Sequence, residues 1–187
     1  MNEADIIKLV TLAYWRYDRQ HIAGAIECGG AECGGADVKT MAKSLLITES
    51  EVKVSIADMR REFNSKRYKH QHMFGEGFNR RPNVNYFYFV VPERLKEKAL
   101  EVVRELYPYA GLLVCRENIK NIFGHYGGLS NICSIKPAKR MRRPKPDIKE
   151  ITRIAYAASN TAIRYGNKLL GGNSAESNIN LPPGGKE

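Results

Sequence analysis

An aspartate, a glutamate and a lysine make the one grouping in this 187-residue chain that suits metal-assisted chemistry: Asp37, then thirteen intervening residues, then Glu51-Val52-Lys53. Leu45 to Val54 alternates as a strand does, and successive strand side chains point to opposite faces. Leu45, Ile47, Glu49, Glu51 and Lys53 therefore share one side, which turns from aliphatic to charged along its length. Val38 to Ala42 forms a second run, and Ala42-Lys43-Ser44 is short enough for a hairpin that brings Asp37 back beside Glu51 and Lys53. Converging carboxylates repel unless a cation sits between them, and such oxygen ligands suit Mg²⁺ or Mn²⁺. Metal plus lysine beside a phosphodiester would polarise the phosphoryl oxygen and lower the pKa of a bound water. Alone, Glu-X-Lys is an ordinary solvated pair, so its setting must carry the argument.

That setting, with Asp37 and Glu51-Val52-Lys53 on a hairpin that leads into a helix, resembles the PD-(D/E)XK nuclease superfamily. Within it, the segments SEVKVSIADM, NYFYFVVPERL and AGLLVCRE resemble the small MmcB-like DNA-repair branch, over a span from Ile22 to Arg143. Ala36 stands where that pattern has proline. The resemblance implies a restriction-endonuclease-like α/β fold whose mixed sheet has about five strands flanked by helices. It also implies that Asp37 and Glu51 bind the metal, that the Val52 carbonyl adds a ligand and that Lys53 assists the attacking water. The implied activity is endonuclease-like DNA hydrolysis in repair or recombination. Asp58, Lys66 and Tyr68 lie near polar positions of that family, where they would orient substrate; surface charges explain Asp58 and Lys66 equally well. The alternative is a non-catalytic nucleic-acid-binding protein that keeps the fold.

Composition is consistent with either reading. Thirty basic against twenty acidic residues give a formal charge of +10, which favours a polyanionic partner such as DNA. The chain is long enough for one domain, expected over residues 1–170, with a disordered tail over 171–187. It has no apolar run of membrane-spanning length and no signal-like start, so a cytoplasmic protein is expected, as monomer or homodimer. Cys28, Cys33, Cys115 and Cys133 lack zinc-ribbon spacing and read as free thiols, with a cysteine-held metal as the remaining alternative.

The remaining elements must position the site. Ala4 to Arg19 reads as an amphipathic helix with Ile6, Leu9, Val10, Ala13 and Tyr17 inward and Glu3 beside its positive end. His21 to Cys28 reads as a first strand, Ile22, Gly24, Ile26 and Cys28 on one face and Glu27, a further candidate ligand, on the other. The glycine-rich loop 29–35 reads as a mobile connection. Ile56 to His72 reads as one basic helix with Lys66 and Lys69 outward, and His70 and His72 at the surface or on DNA. The loop 73–83 carries Arg80 and Arg81 as DNA contacts. Asn85 to Val91 is the most strand-like segment, covered on both faces, and Leu95 to Leu106 with Ala110 to Arg116 completes a parallel strand–helix–strand unit. Asn131 to Ile135 reads as an edge strand. Lys136 to Pro146 has six Lys or Arg in eleven residues and three prolines, and so displays Lys139, Arg140, Arg142 and Arg143 to phosphates from an extended chain. Asp147 and Glu150 cap a last helix with a seam of Ile148, Ile151, Ala155, Ala158, Ala162, Tyr165 and Leu169.

Overall fold

In the computed structural model of the chain, residues 1–28, 35–74, 84–117, 119 and 131–169 are described. Arg80, Arg81, Cys33 and the tail expected from 171 onward lie outside them. The described residues form a mixed α/β fold around a six-stranded sheet of order β1-β2-β3-β4-β5-β6. Strands β1 (Ala23–Cys28), β2 (Ala36–Met41) and β3 (Ile47–Val52) make an antiparallel meander. β3, β4 (Tyr86–Pro92) and β5 (Gly111–Cys115) run parallel, and β6 (Ile132–Lys136) adds an antiparallel edge, one strand more than expected.

Helix α1 (Glu3–Ala13), capped by the Asn2 side chain on the Asp5 N–H at 2.8 Å, covers one face of the sheet. Its Ile7 and Val10 pack with Val52, Val90, Leu113 and Ile132. The expected stripe drifts at its end, because Tyr14–Asp18 winds as a π-helical turn. That wider turn shifts the phase, burying Trp15 against Ser50 and leaving Tyr17 exposed.

On the other face α2 (Ile56–Ser65), α3 (Arg67–Phe74) and α4 (Lys96–Leu106) close a core of Ile47, Met59, Phe87, Phe89, Val91, Val102, Tyr107 and Leu112. β4 is central and buried on both sides, as its aromatic and β-branched residues require. The expected single helix over Ile56–His72 is broken at Lys66, whose φ of −112° and ψ of 35° end α2. The break lets α3 bend over β3. Lys69 and His70, expected outside, are consequently buried, at 6% and 1% exposure.

α5 (Ile148–Leu169) lies along the free edge of β1. The Ile26 N–H donates to Thr161 Oγ1 at 2.9 Å, which satisfies an edge group that would otherwise attract another strand. The packing seam is the expected one only in part: Ile148 is 74% exposed and Ala155 and Ala162 face solvent. Ile151, Ala158 and Tyr165 do face inward as expected, but they are joined by Glu150, Ile154 and Thr161, two of which satisfy polar groups of the sheet, Lys39 and Ile26. The Asp147 cap forms as expected, its Oδ1 accepting from the Glu150 N–H at 2.8 Å.

Candidate functional site

β2 and β3 pair in the register Val38↔Ser50 and Lys39↔Glu49, so Asp37 lies across from Glu51. The hairpin that sets this register turns at Leu45, held at φ 64° with its N–H on the Ala42 carbonyl at 2.9 Å. Asp37 Oδ2 accepts the Val52 N–H at 2.8 Å, and its Oδ1 stands 3.1 Å from Lys8 Nζ of α1. The three expected residues therefore meet at the C-terminal end of β3. Asp37 is the open member, its side chain 24% exposed, whereas Glu51 is 1% and Lys53 7% exposed.

Around Glu51 the charges alternate. Its Oε2 lies 3.0 Å from Lys66 Nζ, and its Oε1 contacts Lys69 Nζ, which also contacts Glu49. Lys53 Nζ contacts Glu62 Oε2 and stands 3.2 Å from Asp58 Oδ2, while Lys66 reaches Glu62 Oε1 at 3.6 Å. Three buried carboxylates, Glu49, Glu51 and Glu62, thus interleave with the ammonium groups of Lys53, Lys66 and Lys69.

Burial drives the Glu51 carboxyl up to about 7; Lys69 opposes the rise, and the neighbouring Glu62, Asp37 and Glu49 add to it. Burial also works against the charge on Glu62, but His70, Lys53 and Lys66 overcome it and hold that carboxyl at about 2. Burial alone would lower Lys53 and Lys69, yet the carboxylates around each raise both, so both stay ammonium ions.

The site's oxygen donors match Mg²⁺ or Mn²⁺ in kind: two carboxylates on paired strands with the Val52 carbonyl beside them. Their oxygens are nevertheless engaged by protein groups. Both Glu51 oxygens meet lysines, and among the described residues no three His, Cys, Asp or Glu side chains gather as a metal-binding group. A cation there would require Lys66 and Lys69 to withdraw from Glu51.

Glu27 is not part of this grouping. It sits at φ 54° within β1, which reverses the alternation so that Ile26 and Cys28 face opposite sides of the sheet rather than the same one. Its carboxylate turns to Lys8 at 3.3 Å and to Arg164. Glu3 pairs with Arg94. Cys28, Cys115 and Cys133 are free thiols.

The basic segment is elsewhere. The Lys139 N–H donates to the Tyr109 carbonyl at 2.9 Å and the Met141 N–H to Asn85 at 2.8 Å, while Asn85 donates to Ile47 at the opening of β3. Lys139, Arg140 and Arg142 therefore project at the end of the sheet opposite Glu51, and Arg143 is half-buried beside them. Five strand steps separate Ile47 from Val52, about 17 Å.

Glu62 and Lys69 carry roles that the periodicity of α2 and α3 hides. Their signal was the spacing Glu62, Lys66, Lys69, His70 on one helical face, overridden by reading basic residues as outward.

The fold so defined is a mixed sheet flanked by helices, with a lysine–carboxylate cluster at one strand end. No protein-family model matches the chain, and no curated protein matches it. Its structure is similar to that of the SPO1766 protein of unknown function from Silicibacter pomeroyi, with a TM-score of 0.53 and 13% identity over 91% of this chain and 92% of that one. At that identity the likeness speaks to the fold alone. Among the described residues, no helix is long and apolar enough to cross a membrane.

Proposed function

We propose that the chain is a Mg²⁺- or Mn²⁺-dependent deoxyribonuclease of endonuclease type, with Asp37, Glu51 and Lys53 as its catalytic residues. The observation that supports this reading is the meeting of Asp37 with Glu51 across paired strands, with the Lys53 ammonium on the same face of the same strand end. Asp37 offers a carboxylate from the solvent side and Glu51 one from within; with the Val52 carbonyl these are the groups that would hold the cation. When bound, the metal supplies a Lewis acid for the phosphoryl oxygen and a water of lowered pKa.

The chain's own part is electrostatic. Lys53, kept protonated by Glu62, faces the charge that develops on the phosphoryl oxygens. Lys66, one-third exposed, stands on the solvent side of Glu51, where a released ammonium meets phosphate. Lys139, Arg140, Arg142 and Arg143, with Arg80 and Arg81 of the 75–83 segment, supply phosphate contacts that carry no sequence information. A formal charge of +10 accords with DNA as the partner.

Purified protein incubated with supercoiled, nicked, branched and single-stranded DNA in Mg²⁺ or Mn²⁺ tests the reading. Cleavage should be lost in Asp37→Ala and Lys53→Ala. Wild-type-like cutting by both variants would place the chemistry elsewhere.

A second reading has its own support. Lysines already neutralise Glu49, Glu51 and Glu62, so the cluster is stable without a cation, as expected of a DNA-binding protein that keeps the fold but does not cut. Steep salt dependence of binding with no response to divalent metal distinguishes it.

A further inference from the structure

Behind Lys53 lies a buried chain of polar groups that the site's three expected residues do not use. Glu62, 2% exposed, has one oxygen against Lys53 Nζ and the other 3.4 Å from His70 Nε2. On the far side of the ring, His70 Nδ1 is in hydrogen-bond contact with the Tyr109 hydroxyl. The imidazole is wedged between aromatic rings, 4.9 Å from Tyr107 and 5.8 Å from Phe87 by centroids, so it has little freedom to turn. Tyr107 is itself pinned, donating its hydroxyl to the Met59 carbonyl of α2 at 2.8 Å.

The direction of the chain follows from the carboxylate. An ionised Glu62 can only accept, so the His70 Nε2 that faces it at 3.4 Å is the ring nitrogen placed to carry a proton toward it. Nδ1, on the other side of the ring, faces the Tyr109 hydroxyl. Tyr109, His70, Glu62 and the Lys53 ammonium then stand in one series of contacts.

We infer that Glu62 is the positioning residue for Lys53, with His70 and Tyr109 packed behind it. The inference rests on the nuclease reading for its purpose, but the contact it describes does not. Its role is to hold the Lys53 cation at one point of the strand end when a phosphodiester arrives. A mobile four-carbon side chain would otherwise leave that point unoccupied for much of the time.

The test uses the full chain labelled with ¹⁵N-lysine, the Lys53 ammonium resonance being assigned by its absence in Lys53→Arg. Glu62→Gln should shift or erase that resonance while leaving the Lys69 signal in place. It should also slow single-turnover DNA cleavage about 10²-fold without changing DNA affinity. Tyr109→Phe, which removes one hydroxyl, should move the same resonance and slow cleavage about tenfold.

If Glu62→Gln does not fold, Tyr109→Phe decides: an unmoved Lys53 resonance in that folded variant overturns the inference. Cleavage lost in Lys53→Ala but retained in Glu62→Gln overturns it while leaving the nuclease reading intact. Wild-type-like cleavage by Lys53→Ala removes the nuclease reading, and with it the positioning role.

Discussion

The two ends of β3 spend their positive charge differently. At the C-terminal end, Lys53, Lys66 and Lys69 are matched against Glu49, Glu51 and Glu62, and five of these six side chains are under one-tenth exposed. At the N-terminal end, Lys139, Arg140 and Arg142 project from an extended chain, and among the described residues none of them pairs with an acid. Buried ammonium groups are structural until something draws them out; exposed ones are free to meet phosphate at once. On the nuclease reading, the cations that would attract a polyanion are thus separated from those that would act on it by about the length of a strand.

The most severe way to break that contrast is Lys69→Met. Removing one partner from a buried ion cluster leaves uncompensated charge, here on Glu49 and Glu51, at a typical cost of about 3–5 kcal/mol. Urea unfolding at pH 7 should show a loss of that order. On the metal reading Mn²⁺ should restore part of it, raising the melting temperature of Lys69→Met more than that of the wild type. No restoration by Mn²⁺ would count against a cation at Glu51.

Glu62→Gln is the next largest. The Glu62 carboxyl is held at about 2 against an ordinary value of 4.5, a difference of roughly 3 kcal/mol at most. Because its folded value is depressed, the stabilisation is present above pH 4.5 and is lost as pH falls towards 2. The stability gap between wild type and Glu62→Gln should accordingly be widest near pH 7 and narrow steadily below 4.5. A gap that stays constant to pH 3 would mean that Glu62 contributes by shape and not by charge.

The opposite end is probed by changing Lys139, Arg140, Arg142 and Arg143 together to alanine. Four lost phosphate contacts should flatten the log–log salt slope of DNA binding by roughly 3–4 and weaken binding about 10²-fold near 0.2 M salt. Cleavage by bound complexes should be unaffected, since the segment lies across the sheet from Glu51. Equal losses in binding and cleavage rate would deny the separation.

The hairpin and the parallel unit were legible in the chain because alternation and β-branched runs report burial directly, as at Ile47 to Val52 and Tyr86 to Pro92. The meeting of Asp37 with Glu51 was expected from a short hairpin at Ala42-Lys43-Ser44, although the connection runs two residues further, with Met41 paired to Ile47. What was hidden had a common cause: a polar residue inside looks in sequence like one outside. Lys69 was read as outward, and Glu62 drew no reading, because their partners, Glu49, Glu51 and Lys53, arrive from another element. The break at Lys66 and the left-handed Glu27 are likewise demands of tertiary packing on residues with no local preference for them.

Thr161 shows the same effect on a smaller scale and yields the smallest prediction. Mid-helix threonine usually bonds its own helix, and Thr161 Oγ1 does lie 2.8 Å from the Ala157 carbonyl. It also accepts the Ile26 N–H of the sheet's edge, so one hydroxyl joins α5 to β1. Thr161→Val keeps the shape and removes the acceptor, which should cost about 1–3 kcal/mol for the unsatisfied amide. Hydrogen exchange distinguishes the causes. If the edge bond matters, the Ile26 amide should lose protection in Thr161→Val while amides of β4 lose no more than the global change. Uniform loss across both strands would instead mean that α5 stabilises the sheet through Ile154 and Tyr165 packing, with the hydroxyl incidental.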